Sequence, residues 1–412
     1  MLSRIKITNF KSFAEAEIRL RPLTVMIGAN ASGKTNFIEA LGLLGWMAKG
    51  RQLSEIYSAV RDGELALRGS LQRLTQHGNT QPIGFTVDID VGVDEVAQLE
   101  LDVSLDAKHP EIALERFTSP AGTVMYEATS SISNAQHVAR FGTEQVGIES
   151  DKPVFTHALP SDLAHEQIAL LEIWLKSIFV FRPVPNAMRG YANFSDWHFL
   201  RPDGSNVSAV VDNLCQSSYR DRILEFIRTL PEQNIRDIGF IRVPGREDLM
   251  IKLLESFGES EHWHEAVVLS DGTLRTLAIA AALFNSDSLL IIEDLDDGVH
   301  PSRLGRMLEL IRAHAEYANI RVLVTSHNPA LLDALPASEL RHVVACYRDP
   351  EQGDSRLIEL GQLNEFPALV AQGRLGQLLT RGIVDHALKH DRTDEQRAAD
   401  ALEWLAELEA SE

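Results

Sequence analysis

Cysteine is almost missing from this chain: two of its 412 residues, Cys215 and Cys346, set far apart and without metal-ligand spacing. That excludes a disulfide framework or a cysteine zinc centre and fits a reducing compartment. Long hydrophobic runs are missing too. The longest outside strand-like segments, Leu277–Phe284, is far too short to span a bilayer. The opening, Met1–Phe13, mixes charge with alternating Ile5 and Ile7 and has no signal-peptide core, so a cytoplasmic location and no membrane partner are expected. Sustained heptads and internal repeats are absent, which excludes a long coiled coil or a solenoid. Positive charge is scarce: 39 Lys and Arg face 59 Asp and Glu, a formal net charge of −20. A surface this acidic repels phosphate backbones, so any nucleic-acid contact needs a local basic patch.

What is present is the composition of an ordinary globular chain, 44% hydrophobic and 24% charged, long enough for two or three structural units. Two strands are expected at Arg4–Thr8 and Ala14–Leu20, then a third before residue 28. Alternation at Phe85-Val87-Ile89-Val91, Leu99-Leu101-Val103-Leu105 and Val124-Tyr126 predicts an antiparallel meander with turns at Asp106–Pro110 and Pro120–Gly122. The polar stretch Ser131–Pro160 reads as loop or insertion. Helices are expected at Leu163–Lys176, Ser205–Cys215, Asp221–Leu230, Thr273–Phe284, Ser302–Glu316 and, acid-rich, Thr393–Leu408. Buried strands are expected at Ile178–Phe181, Leu289–Ile292 and Val322–Val324, and further strands at Asp237–Arg242, Leu249–Leu253, His342–Tyr347 and Arg356–Leu360.

The stretch Gly28-Ala29-Asn30-Ala31-Ser32-Gly33-Lys34-Thr35 follows the apolar run Leu23–Ile27 and leads into a helical pattern over Asn36–Lys49. This is strand, phosphate loop, helix, with the spacing G-x-x-x-x-G-K-[ST]. Gly28 and Gly33 let the backbone wrap a polyphosphate at the helix's positive end, Lys34 adds a full charge, and the Thr35 hydroxyl is placed for Mg²⁺. Downstream, the strand ending at Ile292 runs into Glu293-Asp294. By this pattern Glu293 takes the metal role and Asp294 orients the attacking water. Ser270 or Asp271 caps the helix opened by Leu269-Ser270-Asp271-Gly272-Thr273. His327 follows the strand Val322–Val324, at the carboxyl end where ligands collect in parallel sheets.

In this order Gly28–Thr35, Leu269–Thr273, Ile291–Pro301 and Thr325–Pro329 resemble the Walker A, signature, Walker B with D-loop, and H-loop of an ABC-type ATPase. Asn9-Phe10-Lys11-Ser12-Phe13 and Asn36 resemble the SMC and RecF branch. Leu269–Arg275 and Arg201–Asn206 are similar to compact bacterial ATPases of the OLD-like group, several of them ATPase subunits of antiphage systems. The resemblance covers roughly residues 1–50 and 266–335. It implies an α/β phosphate-loop NTPase fold, an ABC-type head with a mixed sheet, an antiparallel β subdomain and a helical lobe. The corresponding division is an N-terminal ATPase lobe over 1–130, an insertion and helical lobe over 131–265, a C-terminal ATPase lobe over 266–362, and a helical tail over 363–412.

The resemblance also implies ATP and Mg²⁺ as cofactors, and a homodimer closing over two nucleotides. Asn30, Ala31, Ser32 and Asn36 would line the nucleotide with the rest of the loop, and Lys11 and Ser12 would lie beside it. Ser270, Asp271 and Gly272 would reach the partner's γ-phosphate, and His327 would sense it. The family's usual acidic pair is Asp-Glu or Glu-Glu, so Glu293-Asp294 puts a shorter carboxylate at the water position, and slow or partner-dependent hydrolysis is expected. The Q-loop glutamine is left between Gln72 and Gln81. With no coiled coil and no Toprim spacing after Pro329, the expected role is a switch ATPase controlling a separate effector, a nuclease or toxin, in phage defence. The competing expectation is a RecF-like repair factor that binds DNA through Arg182, Arg189 and Arg201 interleaved with Phe181, Tyr191, Phe194, Trp197 and Phe199.

Overall fold

The computed structural model describes residues 1–70, 73–105, 110–129, 137–160, 163, 165–229 and 234–391. The helix expected at Thr393–Leu408, most of the turn at Asp106–Pro110, and Gln72 lie outside the described residues.

Three sheets carry the chain. The first has eight antiparallel strands, in spatial order Phe13–Arg19, Leu2–Phe10, Ile83–Gly92, Glu95–Ser104, Glu111–Thr118, Val124–Thr129, His137–Phe141 and Glu144–Ile148. The second has six, in order Phe179–Phe181, Leu289–Ile292, Arg321–Ser326, Leu23–Ile27, Val344–Arg348 and Ser355–Glu359. Its first five are parallel and the last returns antiparallel as a hairpin. A third, four-stranded antiparallel sheet joins Ala192–Asn193, Asp248–Phe257, Ile235–Arg242 and Ser260–Glu265.

The six-stranded sheet divides two hydrophobic cores, and its side-chain period of two explains why its strands read as unbroken apolar runs. Leu23, Val25, Ile27, Leu290, Ile292, Val322 and Val324 face one core, with the helices Asp271–Phe284 and Pro301–Ala318. Met26, Leu289, Ile291 and Leu323 face the other. There the helix Lys34–Met47 is wedged against the eight-stranded sheet. It shows little amphipathic character because it is buried nearly all round: Phe37, Ile38, Leu41, Leu44 and Trp46 point to different sides and all are buried. This is the phosphate-loop α/β fold with its mixed sheet and antiparallel β layer.

The polar stretch expected to be loop from 131 to 160 is corrected. It supplies two strands, His137–Phe141 and Glu144–Ile148, that extend the first sheet, so that sheet crosses the boundary drawn at 130. In these two strands His137, Ala139 and Phe141 are buried and Val146 and Ile148 pack partly buried against the second core, too few apolar residues to stand out. The segment 131–265 also holds the third sheet, whose strands Ile235–Arg242 and Asp248–Phe257 fall where strands are expected at Asp237–Arg242 and Leu249–Leu253. Past residue 363, three short helices, Phe366–Gln372, Leu375–Thr380 and Ile383–Lys389, bury Leu369, Leu378 and Leu388 in the first core. Among the described residues no helix is long and apolar enough to cross a membrane.

Glu115 fastens the far part of the first sheet. Its carboxylate accepts from Tyr126 Oη at 2.6 Å and from the Val154 and Phe155 amides at 2.6 and 3.3 Å. Burial opposes its charge and outweighs these three donors, raising its pKa to about 7. The folded chain therefore holds this proton between the ordinary value of 4.5 and about 7, where the unfolded chain does not. The Glu115 contribution to stability is full at and below pH 4.5 and is lost as pH rises through 7. Denaturation midpoints of Glu115→Gln, measured from pH 5 to 8.5, are expected to fall less with rising pH than those of the unmodified chain.

Candidate functional site

The loop Gly28–Gly33 crosses from the buried strand Leu23–Ile27 to the amino end of the helix Lys34–Met47. Its glycines are required by their surroundings. A Cβ on Gly28 would lie 2.3 Å from the Cys346 carbonyl oxygen. Gly33 sits at φ +124°, and a Cβ there would lie 2.3 Å from Ser355 Oγ. Ala31 is held at φ +64°, a left-handed conformation that costs a non-glycine residue about 1 kcal/mol.

A cavity of about 670 Å³ opens over this loop. Of the expected nucleotide residues, Lys11, Ser12, Asn30, Ala31, Ser32, Gly33, Lys34, Thr35 and Asn36 line it, and Glu293 and Asp294 form its opposite wall. Gly28 lies just beneath, and its carbonyl and that of Ala29 accept from Lys34 Nζ at 2.6 and 3.1 Å. Burial pulls the Lys34 ammonium below its ordinary value while Asp294, Asp296 and Glu293 push it up. An anionic ligand at the helix end would relieve that desolvation.

The acidic wall is set by the strand order. Arg321–Ser326 lies between the loop strand and Leu289–Ile292, so its end reaches the residues on both sides. Thr325 accepts the Asp294 amide on Oγ1 at 3.1 Å and the Leu295 amide on its carbonyl at 3.0 Å. This holds Asp294 at φ +46°, with its carboxylate 3.5 Å from His327 Nδ1. His327 therefore flanks Asp294 and is not among the residues lining the cavity. Glu293 is ion-paired with Arg182.

Ser270, Asp271 and Gly272 do not line the cavity. Of the two capping candidates, Ser270 is the cap: its Oγ accepts the Thr273 amide at 3.1 Å. Asp271 instead pairs with Arg189, whose guanidinium also donates to the carbonyls of Ala266, Val267 and Leu269. Gly272 packs against the loop after the acidic strand, where a Cβ would lie 2.4 Å from Gly298 O. Gln81 does not line the cavity; its carbonyl accepts from Asn9.

Each arginine of the expected arginine–aromatic surface meets a carboxylate. Arg182 pairs with Glu293, Arg189 with Asp271, and Arg201 with Asp196 at 2.6 Å. Tyr191, Phe194, Trp197 and Phe199 are exposed and Phe181 is buried.

Sequence reasoning missed Arg68, Arg73, His77 and Arg348, which also line the cavity. It missed Glu39 as well, which is fully buried and pairs with both Lys11 and Arg68. An acid inside the apolar run Phe37-Ile38-Glu39-Ala40-Leu41 was the available signal.

Two family profiles match the chain: "AAA domain, putative AbiEii toxin, Type IV TA system" over residues 183–333 and "AAA ATPase domain" over residues 1–52. Curated relatives include the DNA replication and repair protein RecF of Acidothermus cellulolyticus, 33% identical over 93 residues, 22% of this chain and 23% of that protein. RecF of Renibacterium salmoninarum is 36% identical over 92 residues, 22% of each chain. The chain thus spans under a quarter of the length of these relatives. Among solved structures, the SMC head bound to the C-winged helix domain of ScpA aligns over 87% of this chain and 96% of its own, at 12% identity and a TM-score of 0.48. Strand, phosphate loop, helix and an acid-tipped parallel strand one position further along the sheet define a phosphate-loop NTPase fold. Within that class the chain is similar to AAA-family ATPase domains over residues 1–52 and 183–333 and, over about a fifth of its length, to RecF proteins.

Ala31→Gly removes the left-handed strain without touching a side-chain contact, and is expected to raise the unfolding free energy by about 1 kcal/mol in a urea titration. An unchanged or lower midpoint would show that the loop is not strained at this residue.

Proposed function

We propose that this chain is an ATP-binding and ATP-hydrolysing switch that closes as a homodimer over two nucleotides and thereby controls a separate effector. The carrying observation is the charge of the cavity: in a chain of net charge −20, Lys11, Lys34, Arg68, Arg73 and Arg348 converge on one phosphate loop. The cluster suits a triphosphate, whose negative charge several cations share.

Thr35 and Glu293 offer hard oxygen donors within the same cavity and fit a divalent cation such as Mg²⁺. When bound, the ion supplies charge neutralisation at the phosphates. Asp294 would accept the proton of the attacking water, and His327 beside it would orient its carboxylate or meet the γ-phosphate. Arg182 must share Glu293 with the cation, and Asp294 has a short side chain. Both support slow turnover that a partner accelerates. Ser270, Asp271 and Gly272 sit off the chain's own cavity, which supports a role across a two-fold interface, with the capped helix end presented to the partner's nucleotide. Loss of the γ-phosphate would then release the pair.

The family matched over residues 183–333 is described by a putative toxin and a type IV toxin–antitoxin system. That supports a defence role with a nuclease or toxin as effector, as does the similarity to OLD-like ATPase subunits. The second reading, RecF-like genome maintenance with direct DNA contact, rests on the RecF relatives. The local pairing of Arg182, Arg189 and Arg201 weighs against it.

Light scattering with Mg²⁺ and ATP tests the dimer. Asp294→Ala, which retains nucleotide, is expected to be dimeric, while Lys34→Ala and Ser270→Arg stay monomeric. A monomeric Asp294→Ala at saturating ATP would reject closure over nucleotide. In a phosphate-release assay Asp294→Ala is expected to lose at least about a hundredfold in rate, and an intact rate would move the water role elsewhere. A duplex-DNA titration at two salt concentrations separates the second reading, which requires salt-sensitive binding.

A further inference from the structure

We infer that Arg348 is a ligand of the nucleotide's phosphates, delivered by the hairpin Val344–Arg348 and Ser355–Glu359, and that Ser355 is the positioning residue that locks this hairpin to the phosphate loop. The inference rests on the nucleotide-site reading above and adds a wall to that site from a segment that none of the sequence motifs includes.

The hairpin runs beside the loop strand, pairing Val344 with Met26 and Ala345 with Ile27, so its next residues arrive where the phosphate loop begins. Ser355 is fully buried there. Its amide donates to the Ser12 carbonyl at 2.7 Å. Its hydroxyl lies 2.6 Å from Ser32 O and 2.8 Å from Ser12 Oγ. One hydroxyl has one proton, and the shorter contact is to a carbonyl that can only accept. The contact to Ser12 is therefore satisfied with Ser12 donating, while Ser12 Oγ accepts from Asn36 Nδ2 at 2.8 Å. The relay Asn36, Ser12, Ser355, Ser32 ties the helix start, the first strand turn, the hairpin and the loop together. The neighbouring Asp354 accepts from Gln76 Nε2 at 2.7 Å, fixing the hairpin from a further side.

Arg348 extends from this anchored hairpin into the cavity. Its Nε donates to Ala31 O at 3.3 Å and one terminal nitrogen to Gly353 O at 2.6 Å. Among the described residues it has no carboxylate within ion-pair distance, and its second terminal nitrogen has no protein partner. Three of the other basic residues around the cavity face carboxylates: Lys11 and Arg68 share Glu39, and His77 faces Asp354. Lys34 bonds loop carbonyls, and Arg73, like Arg348, has no carboxylate within ion-pair distance among the described residues, but it is not anchored to the loop. Within the hairpin, Arg356 lies by Asp349. An arginine with no carboxylate partner, held by carbonyls against a phosphate loop in an acidic chain, is suited to phosphate oxygens by its planar fork of donors.

Binding of a fluorescent ATP analogue to the full chain at two salt concentrations tests this. Arg348→Ala is expected to weaken binding about tenfold and to reduce its salt dependence, with Arg348→Lys in between. Ser355→Ala is expected to weaken binding while keeping the salt dependence of the unmodified chain, because it disturbs the loop and removes no charge. Binding by Arg348→Ala within twofold of the unmodified chain, with Lys34→Ala inactive, would overturn the role of Arg348 alone. Undiminished binding by Lys34→Ala as well would overturn the nucleotide site itself. Circular dichroism checks folding. If Arg348→Ala does not fold, Arg348→Met keeps the aliphatic stem and gives the same readout.

Discussion

Everything at the nucleotide cavity depends on holding a short stretch of backbone, Gly28–Gly33, open and turned inward at the start of a buried helix. A free chain does not adopt that shape, since it needs positive φ at Ala31 and Gly33 and brings carbonyls and a lysine into a poorly solvated place. The structure imposes it from three sides. The buried strand Leu23–Ile27 fixes the entrance, the close-packed helix Lys34–Met47 fixes the exit, and the hairpin of Cys346 and Ser355 leaves no room for a Cβ at Gly28 or Gly33.

The same economy sets the chemistry opposite. One residue, Thr325, holds the acidic turn with its hydroxyl and its carbonyl because its strand lies between the loop strand and the acidic strand. Strand order thus positions Asp294, with no long side chains required. The cations around the cavity are balanced unequally: Glu39 neutralises Lys11 and Arg68, Arg182 neutralises Glu293, and Lys34 bonds its own loop. A ligand entering here competes with protein groups for each of these charges, which lets binding rearrange the residues around it.

Local pattern made the centre of the molecule legible. The runs Leu23–Ile27, Leu289–Ile292 and Val322–Val324 are buried on both faces, so they are apolar but for Thr24, and loop spacing and the paired acids mark the ends of the first two. The meander strands announced themselves by alternation where one face is buried. Strands at the sheet margins did not: Ser260–Glu265 is polar at almost every position and mostly exposed, the edge strand Glu144–Ile148 has no buried residue, and its neighbour His137–Phe141 offers three inward residues. The site showed the same division. Gly28 to Thr35 and Glu293-Asp294 are contiguous and therefore visible. Ser12 and Ser355 are separated by 343 residues and Asp354 and Gln76 by 278, so no sequence spacing could join them. The pairing of Arg182 and Arg189 was invisible for a related reason: their carboxylate partners, Glu293 and Asp271, lie far along the chain.

The six-stranded sheet interleaves a segment ending at Ile27 with segments beginning at Phe179, Leu289, Arg321, Val344 and Ser355. A chain emerging from the ribosome therefore makes its phosphate loop first and the hairpin that clamps it more than three hundred residues later. During that interval the loop strand has neither lateral neighbour, Arg321–Ser326 or Val344–Arg348, and its apolar faces stay uncovered. The clamp on the loop is complete only once the segment to Glu359 has been made, so a chain shorter than that lacks the contacts that hold Gly28–Gly33 in shape.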